Sequence, residues 1–181
     1  MAKFQNFTYA FGVTGLDNYG LLNDPALSAP LSPLNGVWSG ATGLQIFADI
    51  QNMYKQLQSQ LNGNVRMSDV LTLAMSPTQE SYLLTPMQNV YGNANVIDMI
   101  KKSFPNMTVK TAPEYATASG QLVQLIVHNV QGQKSGFCGF TEKMRAHAIV
   151  RETSSTHQKK SGGTWGAIIK VPAAISQLLG V

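Results

Sequence analysis

Charge is what this sequence has least of. Only 12% of its 181 residues are Asp, Glu, Lys or Arg, about half of the roughly 25% usual for a soluble domain. A free-standing monomer uses surface charge to stay dissolved and apart from its neighbours. Asn, Gln, Ser and Thr take the place of the missing ions, and they can hydrogen-bond across a contact without the desolvation cost of a buried ion. A surface largely covered by neighbours fits that composition, and on composition alone so does a neutral, polar monomer. The single cysteine, Cys138, excludes an internal disulfide framework and fits synthesis in a reducing compartment. Met1 to Phe11 lack the basic stretch followed by an apolar run that marks a secretory signal. No apolar run approaches the ~20 residues that span a bilayer. The expectation is a soluble chain made in a cytoplasm, with no membrane partner.

Catalytic signatures are missing too. There is no G-x-S-x-G elbow, no Walker-type phosphate loop and no dinucleotide fingerprint. Ser161-Gly162-Gly163 precedes an expected strand, so it lacks the helix N-terminus that binds anions. His128, His147 and His157 fall in different elements, none with a His or Cys at metal-ligand spacing. Asp69, Glu80, Asp98 and Glu114 form no tight pair in sequence. Cys138 sits in a Gly-flanked apolar stretch and reads as a buried structural thiol rather than a nucleophile. Trp165 beside His157, Lys159 and Lys160 has the makings of an aromatic-plus-basic nucleic-acid site, but a strand tryptophan packed in the core is the preferred reading. No cofactor, metal or catalytic residue is expected.

What is present is enough apolar residue, 44%, for one domain or two small lobes. Residues 12–43 are rich in Gly, Pro, Asn and Ser and read as an extended, turn-punctuated segment. Phe47, Ile50, Tyr54, Leu57 and Leu61 then recur at three- and four-residue steps, predicting a helix that Thr42 or Gly43 starts and Asn62-Gly63 ends. Its opposite face, Gln45, Asp49, Gln56 and Gln60, is polar. Val70 to Met75 predicts a buried strand running into Ser76-Pro77-Thr78-Gln79, a capping box with proline in the first turn. A short helix over about 77–84 follows, then another from Asn95 to before Pro105, where Asp98 favours the helix dipole. Met107, Val109 and Thr111 alternate as a strand, and strand, helix, helix, strand describes a small mixed lobe. Leu122 to Val127 predicts a strand, with Gln131-Gly132-Gln133 as a turn and Gly136 to Phe140 as its hairpin partner. Thr153 to Gly163 reads as a polar, basic stretch between Ala148–Arg151 and a strand at Thr164–Val171, and Ala173 to Val181 as an apolar tail.

The net charge of +4 is concentrated. Lys134, Lys143, Arg145, Arg151, Lys159, Lys160 and Lys170 stand against Glu142 and Glu152 alone. Such a segment can face phosphate or acidic patches on a protein partner.

Several stretches, in order, resemble the major capsid proteins of tailed bacteriophages with the Hong Kong 97-type shell fold. They are Phe11-Gly12-Val13-Thr14-Gly15-Leu16-Asp17-Asn18-Tyr19-Gly20 through Pro25, then Asp98-Met99-Ile100-Lys101-Lys102-Ser103-Phe104-Pro105 with Thr111-Ala112-Pro113-Glu114-Tyr115. The most specific is Phe140-Thr141-Glu142-Lys143-Met144-Arg145-Ala146-His147, continuing through Arg151-Glu152-Thr153 to Gly163-Thr164-Trp165-Gly166-Ala167. The resemblance implies an α+β capsid fold: residues 64–130 as the axial-like domain, 1–63 and 131–181 as parts of the peripheral domain. It implies a shell subunit that assembles with copies of itself in pentamers and hexamers around packaged double-stranded DNA, in a virion made in the bacterial host cytoplasm. It brings no catalytic residues. Lys143, Arg145, Arg151, Lys159 and Lys160 are the candidates for inter-subunit ion pairs or for non-specific contacts with that DNA.

Family members usually carry an N-terminal arm, an extended loop and a long spine helix ahead of the first of these stretches, which here begins at Phe11, ten residues after Met1. Three explanations stand: a subunit encoded in two pieces, with a second polypeptide supplying those parts; a deliberately truncated form; or a degenerate prophage copy. Loss of the spine helix is expected to expose apolar surface. Two rival functions remain, a cargo-enclosing nanocompartment shell on the same fold and a small α/β enzyme with convergent residues invisible in sequence.

Overall fold

A computed structural model describes residues 20–22, 24–87 and 94–181, apart from the side chains at 140–141 and 164–166. The chain divides into two compact units, Met1–Asp24 with Gly136–Ile169, and Pro25–Ser135 with Lys170–Val181. The helix at 43–60 and the last strand thus belong to the same unit as residues 64–130.

The larger unit is a mixed sheet with helices. Helix α1 (Gly43–Gln60) is held at its start by a full capping box, in which the Thr42 N–H donates to Gln45 Oε1 at 2.8 Å. Asn62 and Gly63 end it in left-handed conformation (φ 49° and 76°), as the Asn-Gly pair predicts. Its stripe, Ile46, Phe47, Ile50, Met53, Tyr54 and Leu57, is buried against the sheet. Each of these contributes about 1.5–3 kcal/mol of transfer free energy. Tyr54 meets Phe104 edge-on, ring centroids 5.1 Å apart.

Strand β1 (Leu71–Met75) lies parallel to β2 (Met107–Thr111) and antiparallel to β4 (Gly120–Val127). Helices α2 (Pro77–Tyr82) and α3 (Val96–Ser103) make the connection from β1 to β2, as a parallel pair requires. The expected capping box of α2 is only half formed. Ser76 Oγ accepts from the Gln79 N–H at 3.4 Å, but the buried Gln79 side chain donates to the Val181 carbonyl at 3.0 Å instead of turning back. At α3 the box is complete, with Asp98 accepting from the Asn95 N–H at 3.2 Å. Strand β3 (Ala116–Thr117) pairs with the start of β4.

The tail read as merely apolar is the buried strand β9 (Ile175–Leu179), antiparallel to β4 from Leu122 to Ile126. Its outer edge is covered in turn by the extended segment, where the Leu31 N–H donates to the Gln177 carbonyl at 2.8 Å and the Leu179 N–H to the Leu31 carbonyl at 2.9 Å.

Two sequence expectations fail here. Asp49 does not sit on an exposed polar face. It is 2% exposed and accepts from the Leu34 N–H at 2.9 Å and Trp38 Nε1 at 2.8 Å, pinning the 34–38 loop to α1. Gly136 to Phe140 is not the hairpin partner of β4. The Gln131-Gly132 turn instead closes a minimal hairpin, β5 (Asn129–Val130) with β6 (Gln133–Lys134), both turn residues having positive φ. The chain leaves this unit after buried Ser135, whose hydroxyl donates to the Val127 carbonyl. It returns at Lys170, where the N–H groups of Lys170 and Val171 donate to the Ser135 carbonyl at 2.8 and 3.1 Å.

Candidate assembly surface

The smaller unit is built on one long antiparallel ribbon, β7 (Gly136–Arg151) with β8 (Thr156–Ile169). The basic stretch expected between two short strands is itself strand. Its sequence gives no period-2 signal, because His157, Gln158, Lys159, Lys160 and Ser161 are polar on both faces. In β7 the alternation is visible over its middle: Met144, Ala146 and Ala148 interleave with Arg145 and His147, before the apolar pair Ile149 and Val150 breaks it. The tip, Glu152 to Ser155, closes with the Glu152 N–H donating to the Ser155 carbonyl at 2.8 Å.

Facing residues of an antiparallel pair share a face, and successive residues of a strand alternate. Arg145 faces Ser161, which puts Arg145 and Lys159 on one side of the ribbon. Ala146 faces Lys160 and Arg151 faces Thr156, which puts Lys160 and Arg151 on the other. Lys143 falls between the Glu142 and Arg145 registers, where β7 shifts. The five predicted basic residues therefore share one ribbon, all exposed, but do not make one patch.

Two hydrogen-bonded relays organise the polar groups, and neither was anticipated. Ser161 Oγ donates to Glu142 at 3.1 Å, so the 2.8 Å bond to His147 Nε2 is one that Ser161 accepts. Arg145 lies 3.9 Å from the same carboxylate. At the tip Ser155 Oγ donates to Glu152 at 3.0 Å and accepts from His157 Nε2 at 3.0 Å. In both, serine gives its proton to a carboxylate rather than to imidazole, the reverse of what activates a nucleophile. The relays pair residues up to 19 positions apart, which only the ribbon register reveals.

Apolar side chains are exposed beside them: Met144 at 79%, Val150 at 59% and Ile149 at 56%. Cys138, expected to be buried, is exposed on β7. The Trp165 side chain lies outside the described residues, as does most of the 11–25 stretch. Among the described residues the ribbon has two strands, and a two-stranded ribbon is marginal in water by itself. Among the described residues no helix is long and apolar enough to cross a membrane.

A family model described as the Pa193 gp26 major capsid protein matches residues 1–180. No curated protein matches. Among solved structures, a chain of the capsid of Myoviridae phage XM1 aligns with a TM-score of 0.76 at 12% identity, over 98% of this chain and 59% of that one. A virus-like particle from Pyrococcus furiosus aligns with a TM-score of 0.59 at 14% identity, over 87% of this chain and 58% of that one. The chain thus spans just under three fifths of each solved chain. The likeness establishes the α+β fold of a phage capsid subunit, of the Hong Kong 97 type.

Proposed function

Because the chain belongs to the Pa193 gp26 major capsid protein family, whose members are structural and not enzymes, we propose that it builds an icosahedral phage shell with copies of itself. The observation that carries this reading is the family match over residues 1–180. The ribbon supports it with a surface that suits covering by neighbours. Subunits meet head to tail in rings that close after five or six copies. Each contact is modest, because association entropy cancels much of the burial gain, and many contacts per subunit make the shell stable collectively.

Residues 64–130 supply the axial-like part in this reading, with α1 and β9 sharing its core. The ribbon at 136–169 supplies a peripheral-like part. Where a second polypeptide supplies the arm, extended loop and spine helix, it is a further partner in that shell. The basic residues of the ribbon meet neighbouring subunits or packaged DNA, in a virion assembled in the host cytoplasm.

Electron microscopy of the concentrated chain, alone and with a polypeptide carrying the arm, loop and spine helix, tests the assembly. Rings or closed shells are expected, with density for residues 64–130 near the ring centre. A chain that stays monomeric in both preparations overturns the reading. Intact-mass measurement of particles tests the split subunit separately, since this chain as the sole shell component excludes it. The likeness to the Pyrococcus furiosus particle favours one second reading, a compartment shell enclosing protein cargo. Neighbouring terminase and portal genes support the virus; a neighbouring enzyme cargo gene supports the compartment.

A further inference from the structure

The two edges of the ribbon are unlike. Register shifts interrupt the pairing four times between Gly139 and Ile149. At three of them β7 carries the additional residue: Phe140 to Glu142 spans Thr164 to Gly163, Glu142 to Arg145 spans Gly163 to Ser161, and Ala146 to Ile149 spans Lys160 to Gln158. Each bulge kinks its own strand and takes backbone groups out of line. The outer edge of β7 cannot offer a regular ladder. From Thr156 to Thr164, β8 carries no additional residue and pairs with β7 alone among the described residues. Every second residue there turns its N–H and C=O away from β7, leaving an open template for another strand.

An open edge ordinarily recruits its own kind. Lys159 and Lys160, both exposed, stand at the centre of this one, one ammonium group on each face. When an antiparallel second copy of β8 is laid on it near full overlap, a lysine falls opposite, or diagonally beside, a lysine of the other copy. Like charges in those positions are destabilising. The strand that this edge fits is extended, and it carries carboxylates where a second β8 carries ammonium groups.

We propose that the outer edge of β8, Thr156 to Thr164, docks an extended peptide strand bearing two adjacent carboxylates, one for Lys159 and one for Lys160, and that the same lysines keep a second copy of β8 off this edge. The proposal concerns the ribbon alone and stands whether or not the chain builds a shell.

The full chain is titrated with two synthetic peptides of nine residues, the length of the edge. One is a threonine–valine strand with two central glutamates; its twin has two central lysines. The glutamate peptide is expected to bind about tenfold more tightly, the combined effect of two cross-strand ion pairs and two relieved repulsions. K159E/K160E is expected to reverse the preference. A photo-cross-linker on the glutamate peptide is expected to label residues 156–164 and not 139–151. K159T/K160T, with an unchanged circular dichroism spectrum, is expected to self-associate more than the natural chain. Equal or absent binding of the two peptides overturns the docking. A K159T/K160T chain no more associated than the natural one overturns the exclusion.

Discussion

The buried carboxylate of Asp49 gives the sharpest test of how the larger unit is held together. It receives two hydrogen bonds, from the Leu34 N–H at 2.9 Å and from Trp38 Nε1 at 2.8 Å, with Trp38 itself 1% exposed. Hydrogen bonds to a charged acceptor contribute about 1.5–3 kcal/mol each, and an orphaned buried donor costs about 1–3 kcal/mol. Asp49→Ala removes both bonds and orphans both donors, while relieving the desolvation of the carboxylate. The expected net loss is about 2–4 kcal/mol against a total of roughly 5–15. Asp49→Asn keeps the shape and one accepting oxygen, so it is expected to lose about half as much. Urea unfolding followed by fluorescence reads this as a lower midpoint with an unchanged m-value. Trp38→Phe removes one donor, so Asp49→Ala in that background is expected to cost less than in the natural chain. An Asp49→Ala chain within ~0.5 kcal/mol of the natural one, the scatter of an unremarkable surface change, would refute the claim that this carboxylate fixes the 34–38 loop to α1.

Gly43→Ala is expected to destabilise by about 1–3 kcal/mol although alanine favours helix, because its Cβ would lie 2.9 Å from the Pro86 carbonyl oxygen; thermal melting reads the loss. Burial, reinforced by the charge of Glu114, raises the Tyr115 hydroxyl well above its ordinary value of 10.0. Its stabilisation is complete below the unfolded value and is lost as pH rises above about 10. Tyr115→Phe is therefore expected to flatten the alkaline side of a stability–pH curve. Arg145→Glu and Arg151→Glu are expected to lower particle yield while leaving the melting temperature nearly unchanged, since the Arg145–Glu142 pair is exposed and such pairs contribute about 0–1 kcal/mol. Normal particles with both reversed remove these residues from the assembly surface.

Where one local rule decided the structure, the sequence was easy to read. The apolar spacing of α1, its Asn62-Gly63 end, the Asp98 start of α3, and the β1 and β4 strands all follow from period, caps and turns. What escaped depends on partners distant in the chain. Asp49 looks like a solvated helix residue until the loop at 34–38 folds back onto it. Gln79 fits a capping box until Val181 arrives with a carbonyl to satisfy. The strand at 156–169 has polar residues on both sides, so no alternation announces it; pairing with β7 defines it. The five basic residues were legible as a cluster in sequence, but not the division of four of them between opposite faces: alternation separates Lys159 from Lys160, and the shift between Ala146 and Ile149 turns Arg151 away from the side of Arg145.

That separation also decides what the ribbon can do with DNA. Each phosphate neutralised contributes about −0.9 to the slope of log affinity against log salt. A duplex touching one face of the ribbon meets either Arg145 and Lys159 or Arg151 and Lys160, not all four. Removing the pair on the contacting face, as Arg145→Gln with Lys159→Gln or as Arg151→Gln with Lys160→Gln, should therefore flatten the slope by about 1.8. The pair on the other face should leave the slope unchanged. Fluorescence anisotropy with a short duplex, repeated across salt concentrations, separates the two variants. Equal flattening by both pairs would mean that the basic residues reach DNA together, and the ribbon would then have to twist or assemble so as to bring its opposite faces to one phosphate surface. A difference between the pairs identifies the inner face and leaves the other pair to meet protein.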